Sequence, residues 1–173
     1  MQDIEIINRW DKIYWKLFHV SYEKLVVFVH GFTGDMHGPD NLFELLRQEL
    51  VKNWYSVFQF NFRWTFPSEM SFEKMTLETE SQDLDKVLTS MKQRGYNNIS
   101  LVWESMGVSV ILSRSWFEQM KSLIFWYWAY NFIETSFKDY LSPENRACID
   151  TNLSLKVEEW FSIWKQFFDN IEK

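Results

Sequence analysis

The sequence predicts an α/β protein with a mainly parallel sheet flanked by helices, and three observations support this prediction. Strand-like and helix-like segments alternate along most of the chain. Residues 24–30 (KLVVFVH) and 98–102 (NISLV) are apolar runs rich in β-branched residues, typical of strands covered on both faces. A chain of 173 residues is long enough for one domain with a substantial core, and a second complete domain is not expected.

The elements follow from local patterns. Short apolar runs predict strands at residues 3–9, 12–20, 24–30, 55–62, 98–102 and 122–130. Apolar residues repeated every three or four positions predict helices at residues 41–53, 77–94 and 106–118. Asp40 is the expected N-cap of the first helix, and Gly95 is the expected C-cap of the second. Beyond Asn131 the sequence indicates irregular chain and amphipathic helix, with no further strong strand.

Composition and charge exclude several classes of function. The net charge is −6 without any basic run, so a nucleic-acid partner is not expected. The single cysteine, Cys148, rules out an internal disulfide and fits a reducing compartment. The N-terminus has acidic residues where a signal peptide needs basic and apolar ones, and no apolar stretch reaches membrane-spanning length. We therefore expect a cytoplasmic protein without stable membrane insertion, and the oligomeric state stays open.

Ser105 lies where the buried strand turns into the helix at 106–118. A serine at such an elbow exposes its hydroxyl, and the next backbone N–H, that of Met106, can face a developing oxyanion. Gly107 suits the tight turn, whereas Trp103 and Glu104 precede the serine. The S-x-G pattern alone is common, so its position between strand and helix is what favours a catalytic interpretation.

The loop after the strand at 24–30 supplies a second part of the candidate site. His30, Gly31 and Phe32 follow this strand directly, and the Phe32 N–H can lie opposite that of Met106. Two such donors form an oxyanion hole. We interpret His30 as a structural residue that holds the loop. His30, Asp35 and His37 could also suggest a metal site, but polar loops are more common, so neither a metal nor another cofactor is expected.

Three motifs in order resemble α/β-hydrolases of the serine aminopeptidase, monoacylglycerol lipase and cinnamoyl esterase type. They are VFVHGFTGD (27–35), FQFNFRW (58–64) and GYNNISLVWESMGVS (95–109), within a stretch from about Lys12 to Phe132. The resemblance implies a serine hydrolase of this fold that cleaves a small-molecule acyl ester, or alternatively an amide. In that interpretation, Ser105 is the nucleophile.

The resemblance also implies a division of the chain and an incomplete triad. Residues 1–131 correspond to the N-terminal part of the hydrolase core, and residues 132–173 to a helical lid or cap. The triad order in this fold is Ser, acid, His, yet no histidine follows Ser105. The chain is therefore expected to be a fragment truncated before the last strands, and inactive by itself. The alternative is a non-catalytic binding or interaction protein that kept the elbow.

Tryptophan stands at four positions where these families have glycine. The composition, with 10 Trp and only 5 Gly, is unusual for a fold with many tight turns. Our hypothesis is that several of these Trp codons are UGA, which some bacterial codes read as glycine; the alternative is a naturally Trp-rich protein. A genuine Trp103 is expected to crowd the elbow and to displace Ser105. The four positions are Trp15, Trp54, Trp64 and Trp103.

Overall fold

Strands and helices alternate through most of the chain, as predicted. The computed structural model describes residues 6–8, 11–68, 70–107, 110, 118–128, 142–158 and 161–171. Its strands are β1 (Ile6–Asn8), β2 (Asp11–Ile13), β3 (Trp15–Phe18), β4 (Leu25–Val29), β5 (Ser56–Phe60), β6 (Ile99–Ser105), β7 (Ser122–Trp128), β8 (Ser154–Glu158) and β9 (Phe161–Trp164). Its helices are α1 (Leu42–Lys52), α2 (Leu77–Gln93), α3 (Pro143–Asn152) and α4 (Lys165–Ile171).

The central sheet has five strands in the order β3-β5-β4-β6-β7. β4 lies in the middle and pairs in parallel with both β5 and β6, and β6 pairs in parallel with β7. Only β3, at one edge, is antiparallel to its neighbour. The predicted α/β class with a mainly parallel sheet is confirmed. Because β4 and β6 are adjacent and parallel, the loops that follow them emerge at the same edge of the sheet.

Both faces of the central strand β4 are buried. Val27 and Val29 of β4 lie in one core cluster with Leu84 and Met91 of α2. On the opposite face, the ring of Phe28 stacks on Phe43 of α1 with centroids 4.7 Å apart. All five residues of β4 are buried, which agrees with the continuous apolar run in its sequence.

The predicted helix ends are confirmed at one helix and wrong at another. Gly95, with φ of 98°, follows α2 in the left-handed conformation that glycine adopts at low energetic cost. Asp40 is not the N-cap of α1: it lies in a 3₁₀ turn with φ of 49°, and Asn41 occupies the cap position. Asn41, with φ of 60°, makes no side-chain capping hydrogen bond to α1.

The prediction that no strand follows Asn131 is wrong. β8 and β9 form an antiparallel hairpin in which Leu155 pairs with Ile163, and both side chains are buried. These apolar residues alternate with polar ones, which is the period of a strand. The same residues also fit the stripe of an amphipathic helix, which is why the sequence pattern predicts a helix here. The lid assignment of 132–173 stays a prediction, and residues 129–141 lie outside the described part of the chain.

Two further predictions are modified by the structure. The strands predicted at 3–9 and 12–20 are present, but the second is divided: its first part pairs with β1 as β2, and its later part joins the central sheet as β3. Of the helix predicted at 106–118, Gly107 and Val110 are helical, whereas residues 108–109 and 111–117 lie outside the described part. Among the described helices, none is long and apolar enough to cross a membrane.

Candidate active site

Ser105 has the backbone geometry of a nucleophile elbow. It is the last residue of β6 and has φ of 53°, which is rare for a residue with a side chain. A non-glycine residue in this conformation costs about 1–2 kcal/mol, so the surrounding structure must hold it there. The β6–β7 register shifts between Glu104 and Ser105, where the strand leaves the sheet. The chain then turns at Met106 and enters a helix at Gly107.

The loop after β4 lies directly against this elbow. A Cβ atom added to Gly31 would lie 2.6 Å from Oε2 of Glu104 and 2.8 Å from Cβ of Ser105. Real Cβ atoms do not approach other atoms so closely, so only glycine fits at position 31. The two segments that the sequence placed at neighbouring strand ends are therefore in contact.

The two residues predicted to form the oxyanion hole are anchored by their side chains. The Met106 side chain is fully buried below the elbow. The Phe32 ring packs edge-on against Phe72, with centroids 5.3 Å apart, and lies 6.0 Å from the ring of Phe167 in α4. These contacts restrain both residues, as preorganised N–H donors would require.

His30 is buried and has partners for both ring nitrogens. Its Nδ1 lies 3.0 Å from the carbonyl oxygen of Gly31, and its Nε2 accepts a hydrogen bond from the Phe62 N–H at 3.3 Å. These contacts assign the neutral tautomer in which Nδ1–H donates. Burial lowers the pKa of His30 to about 4. The hydrogen bond to the Gly31 carbonyl and the charge of Asp35 raise the pKa, but by less than burial lowers it. His30 therefore connects the loop after β4 to the segment after β5.

The low pKa of His30 predicts a pH dependence of stability. The unfolded state takes up a proton below the ordinary pKa of 6.5, whereas the folded state does not until about 4. The free energy of unfolding should thus fall as the pH drops from 6.5 to 4, by up to about 3 kcal/mol. In urea unfolding experiments, the free energy of unfolding of a His30→Gln variant should decline over this pH range by that much less than in the wild type. The control His37→Gln leaves His30 intact and should keep the full decline; equal declines in all three proteins would contradict the prediction.

Glu104 is half-buried and bonded to the loop. Its Oε2 accepts a hydrogen bond from the Gly31 N–H at 2.8 Å. Burial raises the pKa of Glu104 above its usual value, and the Gly31 N–H opposes this shift. No pattern in the sequence predicts this contact, since the two residues are 73 positions apart.

Trp103 crowds the turn but does not displace Ser105. A Cβ atom at Gly107 would lie 2.7 Å from Cε3 of Trp103, so the indole leaves room only for glycine there. Ser105 nevertheless keeps its left-handed backbone, because the Trp103 ring is fully buried in the core on the α2 side of the sheet. Within the described residues, the indole N–H has no hydrogen-bond partner, which costs about 1–3 kcal/mol.

The other three unusual tryptophans differ in their surroundings. Trp54 follows α1 with φ of 64° and its side chain is 72% exposed, a position that suits glycine. Trp64 is buried and packs against the rings of His30, Phe62 and Phe72. Burial raises the pKa of the Glu80 carboxyl, and a hydrogen bond from the Trp64 indole opposes this shift. Trp15 lies in β3 and stacks on Phe58 with centroids 5.4 Å apart. Glycine would thus relieve a left-handed backbone at position 54 and, among the described residues, an unpartnered indole N–H at position 103, whereas the surroundings of Trp15 and Trp64 give no reason for glycine. The origin of these residues from UGA codons stays a hypothesis.

The remaining histidines have other partners. Nδ1 of His37 lies 3.0 Å from a carboxylate oxygen of Glu44, and Nδ1 of His19 lies 2.6 Å from the Tyr96 hydroxyl. In the part of the chain that is described, no three His, Cys, Asp or Glu side chains are grouped so that they could hold a metal ion.

A buried polar segment after β5, missed by the sequence reasoning, supports the loop. Asn61 Oδ1 accepts a hydrogen bond from the Met36 N–H at 2.7 Å. Arg63 forms a buried ion pair with Asp83 of α2, with 2.6 Å between guanidinium nitrogen and carboxylate oxygen. A signal was present, because Asn61 and Arg63 are polar residues between aromatic ones directly after a buried strand.

Solved structures of α/β-hydrolases match most of the chain. Est1E from Butyrivibrio proteoclasticus, solved with ferulic acid bound, has a TM-score of 0.79 and 18% identity over 99% of this chain and 71% of its own. Mouse α/β hydrolase domain-containing protein 10 has a TM-score of 0.73 and 17% identity over 96% and 68%. A malate-bound esterase from Thermogutta terrifontis has a TM-score of 0.56 and 21% identity over 72% and 45%.

These similarities define the fold. The chain has the α/β-hydrolase fold, and the predicted resemblance is confirmed at that level. No protein-family model and no curated protein sequence matches the chain.

Proposed function

We propose that this protein is a cytoplasmic serine hydrolase that cleaves a small-molecule carboxylic ester. The observation that carries the proposal is the left-handed backbone of Ser105 at the end of β6, in contact with the glycine loop after β4. Strain of this kind persists where it serves a function, and here it turns a serine out of the sheet in front of a helix. The esterase fold neighbours support an ester as substrate.

In the proposed reaction, Ser105 Oγ attacks the acyl carbonyl carbon. The N–H groups of Phe32 and Met106 would stabilise the resulting oxyanion, each by about 3–4 kcal/mol. A base must accept the Ser105 proton, and in this fold it is a histidine that follows the serine in sequence. Residues 106–173 contain no histidine. Residues 1–173 alone are therefore expected to turn over esters very slowly.

Labelling with a fluorophosphonate tests the proposal. The protein isolated from its natural source should form a covalent adduct at Ser105, because the serine oxygen displaces fluoride from phosphorus in an activated site. A Ser105→Ala variant, expressed in the same source, should give no adduct. Ser100→Ala removes another β6 serine, whose hydroxyl bonds to Ser122, and should keep the adduct. Tandem mass spectrometry locates the label, and its absence at Ser105 in the natural protein would contradict the proposal.

The second candidate is a non-catalytic binding protein with this fold. The buried indole of Trp103 below the elbow favours it, as do the other partners of the three histidines. The mass of the tryptic peptide 95–114 from the natural protein separates the two candidates. Tryptophan at position 103 together with an unlabelled Ser105 would support binding; glycine together with labelling would support catalysis.

A further inference from the structure

We infer that Glu104 and His30 are positioning residues that hold the Phe32 N–H in place beside Ser105, by fixing the peptide groups before and after Gly31. This inference rests on the proposed hydrolase function. The contacts themselves are structural, so they can be tested separately from activity.

The peptide group before Gly31 is held by the elbow strand. Its N–H, that of Gly31, donates to Oε2 of Glu104 at 2.8 Å. Glu104 is the residue directly before Ser105 on β6, so the loop is bonded to the same strand that presents the serine. A shift of the elbow would carry the loop with it, and the distance between donor and nucleophile would be preserved.

The peptide group after Gly31 is held through its carbonyl oxygen. That oxygen accepts hydrogen bonds from Nδ1 of His30 at 3.0 Å and from the Gly34 N–H at 3.1 Å. The peptide group is planar and trans, so the Phe32 N–H points opposite to the Gly31 carbonyl. Two donors on the carbonyl therefore set the direction of the N–H that would face the oxyanion.

The arrangement needs a charged carboxylate and a neutral imidazole at the same time. A carboxylate is a stronger acceptor for the Gly31 N–H than a carboxylic acid is. Burial raises the pKa of Glu104, so the carboxylate is lost at a higher pH than for an exposed glutamate. Burial and the Gly31 N–H are the two influences on the pKa of Glu104, and its register partner on β7 is the uncharged Trp126. His30, on the other side of Gly31 in sequence, has a pKa of about 4 and is neutral at neutral pH. Asp35, in the same loop, acts on His30.

NMR spectroscopy of the ¹⁵N-labelled protein tests the first contact. The Gly31 amide signal should titrate in one step between pH 7 and 4, with a midpoint above the usual pKa of glutamate. A Glu104→Gln variant keeps the shape and an acceptor oxygen but cannot titrate, so its Gly31 signal should lose this step and respond only to the protonation of His30, whose pKa is about 4. Glu49→Gln, at an exposed ion pair on α1, should leave the Gly31 titration unchanged. A Gly31 signal that is constant in the wild type, or titrates equally in Glu104→Gln, would overturn the inference.

The rate of Ser105 phosphonylation tests whether the contact positions the donor. In the natural full-length protein, Glu104→Ala should slow labelling by a neutral fluorophosphonate about 100-fold, the loss typical of a 1 Å misplacement. Glu104→Gln should recover most of the rate and should remove the decline that protonation of Glu104 causes in the wild type at low pH. Equal rates in all three proteins would overturn the inference while the hydrolase proposal stands. An unlabelled wild type with a titrating Gly31 would refute the hydrolase proposal, and with it the positioning role, but would leave the contact intact.

Discussion

Replacing Asp83 by alanine is expected to lower the free energy of unfolding by about 3–5 kcal/mol. Asp83 is fully buried, and Arg63 is only 3% exposed. The carboxylate accepts the Arg63 Nε–H at 2.8 Å and the Arg63 backbone N–H at 2.9 Å. Removing it leaves a guanidinium charge in the core without its ion-pair partner, which costs far more than the pair itself contributes. Urea denaturation followed by circular dichroism measures the change.

An exposed ion pair provides the matched control. Glu49 and Lys52 of α1 are paired at 2.7 Å, but both side chains are about two-thirds exposed. Solvent screens such pairs, so Glu49→Ala should change the free energy of unfolding by at most about 1 kcal/mol. If Asp83→Ala changed stability as little as this control, the buried pair could not be what fixes the segment after β5.

The Asp83 pair also matters for the candidate site. Arg63 follows Phe62, whose N–H donates to His30, and Asn61 holds the backbone of Met36 in the glycine loop. A conservative Asp83→Asn variant, which keeps the shape of the side chain, is expected to be less destabilised than Asp83→Ala. The stability of the loop is thus set partly by residues that touch neither Ser105 nor Gly31.

The parts of the site that the sequence predicts correctly are those set by local patterns. The apolar runs of β4 and β6 predict two buried strands, and Ser105 stands at the end of one of them. That the two strands are neighbours is seen only in the structure. Contacts between distant residues could not be predicted in this way. Glu104 looks like a flanking residue of the motif, and Asp83 looks like part of the solvent-exposed side of α2. Their burial follows only from which strands and helices become neighbours.

The hairpin of β8 and β9 shows a second reason why sequence patterns do not predict the whole fold. The apolar residues at 155–168 fit a helical stripe and also fit two short alternating strands. Local propensity does not decide between these alternatives. The pairing of Leu155 with Ile163 buries both side chains, and such burial depends on the rest of the core.

Trp54 and Trp15, both at positions where a UGA codon is hypothesised, are expected to respond in opposite ways to replacement by glycine. Trp54→Gly is expected to raise the free energy of unfolding by about 1–2 kcal/mol, because a left-handed backbone is strained for any residue with a side chain. Trp15→Gly should lower it by about 2–4 kcal/mol, since it removes a ring packed on Phe58 and introduces a flexible glycine into β3. Urea unfolding of both variants measures the change in the free energy of unfolding, which should be positive for Trp54→Gly and negative for Trp15→Gly.

The same contrast should appear in the protein from its natural source. If the codons at positions 54 and 103 are UGA and are read as glycine, peptides 53–63 and 95–114 should have the masses of their glycine forms, whereas peptide 64–74 should keep Trp64, whose ring is packed against Phe62 and Phe72. Peptide 13–16 should retain tryptophan, because nothing in the surroundings of position 15 requires glycine. Tryptophan in all four peptides would refute recoding, and the unpartnered indole of Trp103 would then be a genuine strain below the elbow. Glycine at position 103 would remove that indole from the turn, and with it one of the two observations that favour a non-catalytic protein.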